Sequence, residues 1–344
     1  MSQGTILHIC LLDKFIPPFI DFVEESFEFK QHKFLLIGDI NKFPVRLGRN
    51  VIQLKRKSQF FMLLREVNEA RKIILHSFYP SPIVLVLAAQ PWLLKKCYWV
   101  MWGGDLYHHQ LRLRGIWSNI QEAIRAFVIK RIGHFVTYIK GDYELAQKWY
   151  GVKGEYHKCL MYPSNLYKEY AVPPKQGESI NILVGNSADP TNNHAEVFEK
   201  LSLYKDDSIQ IYCPLSYGQA DYADRIVKLG TELFGSKFTP LLDFMPFEKY
   251  LELLGQIDIA VFAHRRQQAM GNTITLLGLG KKVFLQSNIT SWQAFQGWGV
   301  KVFDFQYLDL RNLDLNCRMY NQQIIATHFS QATLDQQWRD IFKG

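Results

Sequence analysis

The sequence predicts an α/β protein built from two doubly wound, Rossmann-like domains that face a cleft. First, short apolar runs alternate with amphipathic stretches along both halves of the chain, as in doubly wound sheets. Second, one apolar run in each half ends in a glycine-containing polar loop, at residues 102–107 and 265–273. Ligands of open α/β sheets bind beyond the carboxyl ends of the strands, where such loops lie. Third, 344 residues exceed one ordinary core and suit two domains of roughly 150–200 residues.

The first half alternates strand and helix signals. Short apolar runs predict buried parallel strands at residues 5–12, 34–37, 51–54, 72–76, 96–101 and 134–138. Apolar residues at helical spacing predict helices at residues 17–29, 60–70 and 116–130. A segment rich in proline and glycine, residues 162–177, has no clear period and predicts a linker.

The alternation restarts after this linker. Apolar runs predict strands at residues 180–184, 209–212, 259–262 and 282–285. Helical spacing predicts helices at residues 195–204, 220–233, 247–254, 273–279 and 332–342. We therefore expect a first domain over residues 1–170, a second domain over residues 176–325 and a terminal helix within residues 326–344.

Positive charge is concentrated in the first half of the chain. Residues 1–175 carry 25 basic and 14 acidic side chains, a surplus of 11, whereas residues 176–344 carry 15 basic and 18 acidic ones. A basic domain attracts an anionic partner such as nucleic acid, a membrane surface or an acidic substrate. Basic residues cluster near aromatic ones at 55–61, 92–96 and 112–117, with a further basic pair at 130–131. This pattern favours contact with anionic lipid, and solvated helix faces over a core are the alternative.

We expect a cytosolic protein that does not cross a membrane. The longest apolar run, residues 83–89, is far shorter than the roughly 18 residues that a span needs. The five cysteines are scattered without metal-ligand spacing, which predicts reduced thiols. No recognised RNA- or DNA-binding motif is present, so we expect an anionic membrane surface and not nucleic acid as the partner.

The loop after the first strand of the second domain contains Gly185, Asn186 and Ser187. Gly185 permits close approach of the backbone to a ligand, and the two polar side chains offer hydrogen bonds above the strand end. The alternative is an ordinary strand-to-helix turn, in which Asn186 and Ser187 satisfy backbone groups.

The loop over residues 265–273 combines cations, amides and a predicted helix start. Arg265 or Arg266 can contact phosphate oxygens, and helix N–H groups beginning near Thr273 would face the same anion. The glutamines reach ribose or sugar hydroxyls, and Asn272 or Thr273 caps the helix. A solvated basic loop with an N-cap is the alternative. The candidate binding residues in this loop are Arg265, Arg266, Gln267, Gln268, Gly271, Asn272 and Thr273.

The loop over residues 102–107 places Asp105 near a strand end of the first domain. Its carboxylate can take a proton from an acceptor hydroxyl, or Asp105 is a helix N-cap with Trp102 in the core and the two glycines as turn residues. His76 and His108 are further candidates for the base. The acceptor-side candidates are His76, Trp102, Gly103, Gly104, Tyr107 and His108.

The chain contains no Asp-x-Asp, so we expect no metal-held diphosphate and no metal cofactor. Neutralisation of a diphosphate then falls to arginine, backbone N–H groups and a helix terminus. The motifs G-x-x-x-x-G-K-[ST], G-x-S-x-G and G-x-G-x-x-G are also absent. Their absence argues against a P-loop NTPase, an α/β-hydrolase and the dinucleotide fingerprint.

Three motifs, in this order along the chain, resemble glycosyltransferase family 56. They are residues 102–107, residues 182–187, and Arg266-Gln267-Gln268 followed by Gly271 and Thr273. The resemblance implies a GT-B fold, a dTDP-4-acetamido-4,6-dideoxygalactose donor and an undecaprenyl-diphosphate-linked saccharide acceptor. It also implies peripheral attachment to the cytoplasmic face of the bacterial inner membrane, in surface polysaccharide synthesis.

We therefore expect a metal-independent hexosyltransferase. The second domain would bind the diphosphate of a dTDP-sugar, with Arg266 stabilising the departing nucleoside diphosphate. The first domain would bind a polyprenyl-diphosphate-linked saccharide, with Asp105 as general base or as the carboxylate that orients the acceptor. Because one fold hosts many chemistries, a sugar-nucleotide epimerase or hydrolase is an alternative, and a non-enzymatic membrane- or nucleic-acid-binding module is another.

Overall fold

The computed structural model describes residues 4–55, 59–113 and 115–343. The chain divides into two compact units. Unit 1 comprises Met1–Leu166 and Gln331–Gly344, and unit 2 comprises Tyr167–Ser330. The basic signals predicted at Arg56, Lys57 and Arg114 lie outside the described residues.

In the described residues, unit 1 is a seven-stranded parallel sheet. Its strands are β1 (Ile6–Leu11), β2 (His32–Ile37), β3 (Val51–Gln53), β4 (Lys72–His76), β5 (Cys97–Val100), β6 (His134–Val136) and β7 (Glu155–His157). Their order in the sheet is β3-β2-β1-β4-β5-β6-β7. Strands β4 and β5 are buried throughout, as parallel strands covered on both faces require. The order reverses between β1 and β4, which marks that carboxyl edge as the place for a ligand.

The terminal helix belongs to unit 1. The helices of this unit are α1 (Ile16–Ser26), α2 (Phe60–Glu69), α3 (Pro82–Ala89), α4 (Gly104–Leu111), α5 (Ile116–Ile129), α6 (Lys140–Tyr150) and α13 (Gln331–Lys343). In α13, Trp338 is fully buried and its Nε1–H donates to the Met161 carbonyl at 2.9 Å. Phe342 packs edge-on against His32, with ring centroids 4.6 Å apart. The end of the chain therefore completes the core of the unit in which the chain begins.

Unit 2 repeats the architecture with six described strands. They are β8 (Ile180–Val184), β9 (Ile209–Pro214), β10 (Phe238–Leu241), β11 (Ile259–Phe262), β12 (Lys282–Leu285) and β13 (Phe303–Asp304). The helices are α7 (His194–Leu201), α8 (Ala220–Phe234), α9 (Phe247–Gln256), α10 (Met270–Gly278), α11 (Thr290–Gly297) and α12 (Leu315–His328). The strand order is β10-β9-β8-β11-β12-β13, all parallel. This order reverses between β8 and β11, so a ligand crevice is expected beyond these two strands.

The predicted α/β class with two doubly wound sheets is confirmed. All ten predicted strands are present, and their ends differ from the prediction by at most two residues. The sequence did not predict β7, β10 and β13, because these short edge strands lack a continuous buried apolar run. The sequence did not predict helix α3 either, because its residues are apolar on nearly all sides and form no apolar stripe along one face.

Within the described residues there is neither a membrane-spanning helix nor a disulfide. No described helix combines the length and apolar composition that a bilayer crossing demands. All five cysteines are free thiols, and four of them are buried. Burial raises the pKa of Cys97 and of Cys159 to about 12. These thiols therefore stay protonated at neutral pH and act as small packing groups.

Candidate functional site

Unit 2 brings polar side chains together beyond β8 and β11. Gly185 follows β8 directly and has φ of +67°. A Cβ atom at this position would lie 2.4 Å from His194 Nε2 and 2.8 Å from Asn192 Oδ1. Only glycine fits here without a shift, because the chain turns in the left-handed region while passing over two buried side chains. This crossing sets the floor of the candidate site.

Asn192 joins the loops that follow β8 and β11. Its side chain is fully buried, and its Oδ1 accepts hydrogen bonds from the Asn186 N–H at 2.8 Å and from His264 Nε2 at 3.0 Å. Its Nδ2 donates to Ser187 Oγ at 3.1 Å and to the Asp189 carbonyl at 3.0 Å. Sequence reasoning missed Asn192 and His264. The usable signal was a histidine two residues after a buried strand and an amide next to a helix start.

Arg266 enters the site with its guanidinium only loosely held. Its side chain is 19% exposed and lies 3.7 Å from Asp189 Oδ2, beyond hydrogen-bonding distance. Its second contact is a long hydrogen bond of 3.3 Å to the carbonyl of the buried Gln267. A guanidinium with so few partners is available for an anion.

Arg265 and Gln268 anchor the same loop to the segment before α7. The Arg265 N–H donates to the Thr191 carbonyl at 2.9 Å, and its guanidinium donates to Asn193 Oδ1 at 3.0 Å. Gln268 Oε1 accepts from Thr191 Oγ1 at 3.0 Å. Of the two predicted phosphate-binding arginines, Arg266 is therefore the one turned inward, and Arg265 holds the loop.

Four buried polar atoms of this site have no hydrogen-bond partner among the described residues. They are Asn186 Oδ1, His194 Nε2, Arg266 Nε and Gln268 Nε2. An unpaired buried donor or acceptor costs about 1–3 kcal/mol, so native proteins rarely leave one, and four together require an explanation. Asn186, Arg266 and Gln268 lie at the switch point of the strand order, where a bound ligand would complete their hydrogen bonds, whereas His194 Nε2 lies under Gly185.

Helix α10 begins at the site, but not where the sequence predicts. Ala269 is its N-cap, with φ of +56° and ψ of +26°, and no described side chain caps the helix. The prediction that Asn272 or Thr273 caps the helix is wrong. Thr273 Oγ1 donates back to the Ala269 carbonyl at 3.0 Å, and Asn272 Nδ2 donates to Tyr250 Oη at 3.0 Å. Because Ala269 makes the left-handed turn, Gly271 falls in the first helical turn, where its missing side chain leaves the N–H groups open.

The charge of this site suits an anion. Burial lowers the pKa of His194 to about 4, and burial together with Arg266 lowers that of His264 well below its usual value. Both imidazoles are therefore neutral at neutral pH, and the positive charge comes from Arg265 and Arg266. The positive end of the α10 dipole adds to it.

In unit 1, Asp105 is buried and fully hydrogen-bonded. Its Oδ2 accepts from the Phe78 N–H at 2.9 Å and Trp99 Nε1–H at 2.7 Å. Its Oδ1 accepts from the N–H groups of Trp102 at 2.9 Å and Leu106 at 3.0 Å. The alternative that Asp105 is a helix N-cap is wrong, because Gly103 is the N-cap of α4 and Asp105 lies in the first turn of that helix. Burial raises the pKa of Asp105, and the general-base role stays a prediction that this geometry opposes.

His76 is also buried, within a chain of hydrogen bonds. Its Nε2 lies 3.0 Å from His8 Nδ1, and its Nδ1 lies 2.8 Å from Tyr162 Oη. Trp102 Nε1–H donates to the same Tyr162 oxygen at 2.7 Å. Burial lowers the pKa of His76 to about 3. Both ring nitrogens are occupied, so His76 is part of the core and is not open to an acceptor.

One polar side chain next to His76 has a hydroxyl group that is unsatisfied within the described structure. Ser77 follows β4 with φ of +73°, and its buried hydroxyl has no partner among the described residues. Gly103 has φ of +81°, and a Cβ atom on Gly104 would lie 2.4 Å from Tyr79 Oη. His108 is half-buried in α4, and burial lowers its pKa, so its imidazole is neutral at neutral pH. Sequence reasoning missed Ser77, for which only its place after a buried strand was a signal.

Tyr107 is the last of the predicted acceptor-side residues. It is 7% exposed and its ring packs edge-on against Trp149, with centroids 5.5 Å apart. The structure therefore places Tyr107 with the core of unit 1, whereas Ser77 keeps a hydroxyl without a partner among the described residues and His108 is half-buried.

Comparison with known families identifies the protein. Residues 26–343 match the family described as 4-alpha-L-fucosyltransferase, glycosyl transferase group 56. The chain belongs to glycosyltransferase family 56. The family inferred from the three motifs is confirmed, and the family 56 protein is a glycosyltransferase.

Solved glycosyltransferases share the fold of this family 56 chain. A glycosyltransferase from Rickettsia africae ESF-5 is 16% identical, with 100% of this chain and 98% of that chain covered and a TM-score of 0.64. HepE of Anabaena, solved with UDP and glucose, is 12% identical, with 99% and 100% covered and a TM-score of 0.65. WaaG, a glycosyltransferase involved in lipopolysaccharide biosynthesis, is 10% identical, with 98% and 94% covered and a TM-score of 0.56. These likenesses establish the fold, and the predicted GT-B class is confirmed.

Proposed function

We propose that this glycosyltransferase moves a hexosyl group from a dTDP-sugar to a polyprenyl-diphosphate-linked saccharide, at the cytoplasmic face of the bacterial inner membrane. The donor sugar is a 4-acetamido-4,6-dideoxyhexose, and the product enters surface polysaccharide synthesis. The observation that carries the donor half of this proposal is the group of four buried polar atoms, Arg266 Nε among them, that have no partner among the described residues, next to the open start of α10.

The diphosphate of the donor binds between Arg266 and the α10 N-terminus. Arg266 has free donor capacity, and the first-turn N–H groups of α10, including that of Gly271, lack intrahelical acceptors. Both sources of positive potential act most strongly on the departing nucleoside diphosphate, whose charge grows in the transition state. We propose that transfer needs no metal, because Asp189, the carboxylate facing Arg266, is a single ligand beside a cation.

The side-chain amides of the site bind the uncharged parts of the donor, its sugars or its base. Gln268 Nε2 is an unused donor and Asn186 Oδ1 an unused acceptor. Asn186 Nδ2 is held by Tyr217 Oη at 2.7 Å, which fixes the orientation of the amide. A ribose or hexose hydroxyl both donates and accepts, so it matches this pair. We assign these two side chains to sugar hydroxyls or to the base edge of the nucleotide.

Unit 1 binds the acceptor in this proposal. Asp105 acts as a positioning residue, because its four hydrogen bonds hold the loop that contains Gly103 and Gly104. Ser77 and His108 are the groups that would meet the acceptor hydroxyl, and the neutral imidazole of His108 is able to accept its proton.

The membrane part of the proposal rests on exposed apolar side chains around the start of α5. Leu113, Ile116 and Trp117 are 91%, 79% and 79% exposed, next to the basic residue Arg112. Further exposed apolar residues of unit 1 are Phe61, Leu85, Trp92, Leu111, Ile120 and Phe127. Tryptophan and aliphatic side chains beside arginine suit the headgroup level of an anionic bilayer.

A nucleotide panel tests the donor. Purified protein in EDTA is screened by thermal shift and calorimetry against dTDP, UDP, GDP, ADP and CMP. Selective stabilisation by dTDP is expected. Selective stabilisation by UDP would keep the transferase and change the donor, and no binding at millimolar concentration would contradict the assignment of the unit 2 site. Turnover of a dTDP-sugar without any acceptor would favour the hydrolase or epimerase alternative.

Arg266→Ala tests the residue on which the diphosphate site depends. We expect at least a tenfold loss of turnover and of dTDP affinity with no loss of folded protein, because the substitution removes the inward-facing cation. The matched control is Arg311→Ala, which removes an arginine of unit 2 whose side chain is 87% exposed. Near-normal turnover of Arg266→Ala would remove this residue from the site.

A further inference from the structure

Three side chains with metal-ligand chemistry converge on β6 and β7 of unit 1. In the parallel β6–β7 ladder His134 is paired with Glu155, so both side chains leave the sheet on the same face. His157 lies two residues after Glu155 and shares that face. His134 and Glu155 begin their strands, at the opposite end of the sheet from the loops after β4 and β5. The cluster is therefore separate from the candidate acceptor groups.

The distances within this cluster are close to those that one ion imposes. His134 Nδ1 and His157 Nε2 are 2.9 Å apart and share a hydrogen bond, which a bound ion would replace. Glu155 Oε2 lies 3.5 Å from His134 Nδ1 and 3.8 Å from His157 Nε2. A tetrahedral ion with bonds of about 2.0–2.1 Å holds its ligand atoms about 3.3 Å apart, so shifts of a few tenths of an ångström suffice. Two imidazoles and a carboxylate are a donor set that zinc accepts.

The surroundings already orient His134 as a ligand. Its ring stacks on Tyr98, with centroids 4.0 Å apart and planes within 5°. The ring also hydrogen-bonds to the Lys95 backbone. Its Nδ1 faces His157 and Glu155. Metal-bound histidines are usually fixed in this way.

Two charged side chains act on the histidines of this cluster, Lys72 from outside it and Glu155 from within it. Lys72 lies over the Tyr98 ring, 4.9 Å from its centroid, and its charge helps to lower the pKa of both histidines. Burial is the larger cause of that lowering, and burial also lowers the pKa of Lys72 to about 8. The Glu155 carboxylate, a member of the cluster, offsets the charge of this lysine.

We propose that His134, Glu155 and His157 bind one divalent transition-metal ion of the zinc class, with water as the fourth ligand. The ion fastens the three-residue edge strand β7 to β6 and so stabilises unit 1. It takes no part in glycosyl transfer, and the proposal stands independently of the donor and acceptor assignments.

Metal titration of the full chain tests this site. Protein freed of any affinity tag and stripped with EDTA is titrated with Zn²⁺ in competition with a chromophoric chelator. We expect one equivalent bound with a micromolar or lower dissociation constant, and a Zn²⁺-dependent rise in melting temperature. With Co²⁺ we expect the intense visible absorption of a four-coordinate site. Binding of no ion, or a weak six-coordinate Co²⁺ spectrum, would overturn the proposal.

Single substitutions locate the ion. Glu155→Gln and His157→Asn should each weaken Zn²⁺ binding at least tenfold, because each removes one ligand atom. The matched control is His328→Asn, which changes a half-buried histidine of unit 2 whose ring bonds to the Ile324 carbonyl and belongs to no such cluster. Melting curves in EDTA show that each variant folds without metal. Undiminished binding by the double variant His134→Gln/His157→Asn would place the ion elsewhere and overturn the proposal.

Discussion

The carboxyl edges of the two sheets have the same topology, but their predicted site residues differ in how completely they are hydrogen-bonded. In both units the strand order reverses beside the first strand, and polar loops follow there. In unit 1 the Asp105 carboxylate accepts four hydrogen bonds and both nitrogens of His76 are occupied. In unit 2 Arg266 and Gln268 keep buried nitrogen atoms that have no partner in the described part of the chain. Polar residues at a strand end thus mark a ligand site only where the protein leaves their hydrogen bonds incomplete.

The largest expected effect is that of Asp105→Asn on the stability of unit 1. The asparagine amide places its NH₂ group against two N–H donors. We therefore expect the free energy of unfolding to fall by about 3 kcal/mol. Chemical denaturation followed by tryptophan fluorescence measures this, because six of the eight tryptophans lie in unit 1. Asp21→Asn, at an exposed position of α1, is the control. Unchanged stability with a hundredfold loss of turnover would instead make Asp105 the general base.

Gly185→Ala should damage the unit 2 site from within. The new Cβ meets His194 Nε2, and the alanine must hold φ of +67°. We therefore expect the free energy of unfolding to fall by about 1–3 kcal/mol and nucleotide binding to weaken. Gly177→Ala is the matched control, since Gly177 has φ of +79° but open space around it. We expect only the backbone cost there, about 1 kcal/mol, with unchanged nucleotide affinity. Equal effects of the two substitutions would show that a Cβ atom at position 185 makes no unfavourable contact with His194.

Acid should weaken unit 1 through its buried histidines. Burial lowers the pKa of His76 to about 3 and that of His32 to about 4, below the value of about 6.5 in an unfolded chain. Between pH 4 and 6.5 the unfolded state therefore binds more protons, so stability is full above pH 6.5 and falls as the pH drops. Each such histidine contributes a slope of up to about 1.4 kcal/mol per pH unit in that window.

His32→Asn isolates one of these groups. The asparagine side chain keeps a polar atom near the position of His32 Nδ1, which lies 2.9 Å from His8 Nε2, but does not titrate. Denaturation curves at pH 7, 6, 5 and 4.5 should give a shallower loss of stability than in the unsubstituted protein. An identical slope would exclude His32 as a source of the acid sensitivity.

The smallest effect is expected from Ala269→Gly. Ala269 is the non-glycine residue that makes the left-handed turn before α10, with φ of +56°. Glycine relieves this strain but gains freedom in the unfolded chain, so we expect a net stabilisation of about 0.5 kcal/mol and unchanged nucleotide affinity. Ser77→Gly makes the matching change in unit 1, where φ is +73°. A loss of stability in Ala269→Gly would show that the turn is held by its alanine side chain.

The sequence predicted the strands of the two sheets well because buried parallel strands are apolar along their whole length. Glycine, amide and arginine chemistry led to the prediction that the loops after β8 and β11 form the donor site, which stays a prediction. The sequence did not reveal Asn192 or His264, because a single buried amide or imidazole has no period and no partner nearby in the chain. The start of α10 was misplaced by three residues for a related reason. The left-handed turn falls on Ala269, and alanine carries no signal for it.

By itself, then, the sequence determined the fold class, the family and the position of the polar loops, since these follow from local periodicity and from motifs in order. Only the tertiary structure decided which polar side chains are satisfied. The partners of Asp105 include the N–H of Phe78, 27 residues away, and Asn192 meets His264 72 residues away. Hydrogen bonds over such separations exist only after the strands align. The difference between a packed carboxylate and an open arginine is therefore a property of the folded sheet.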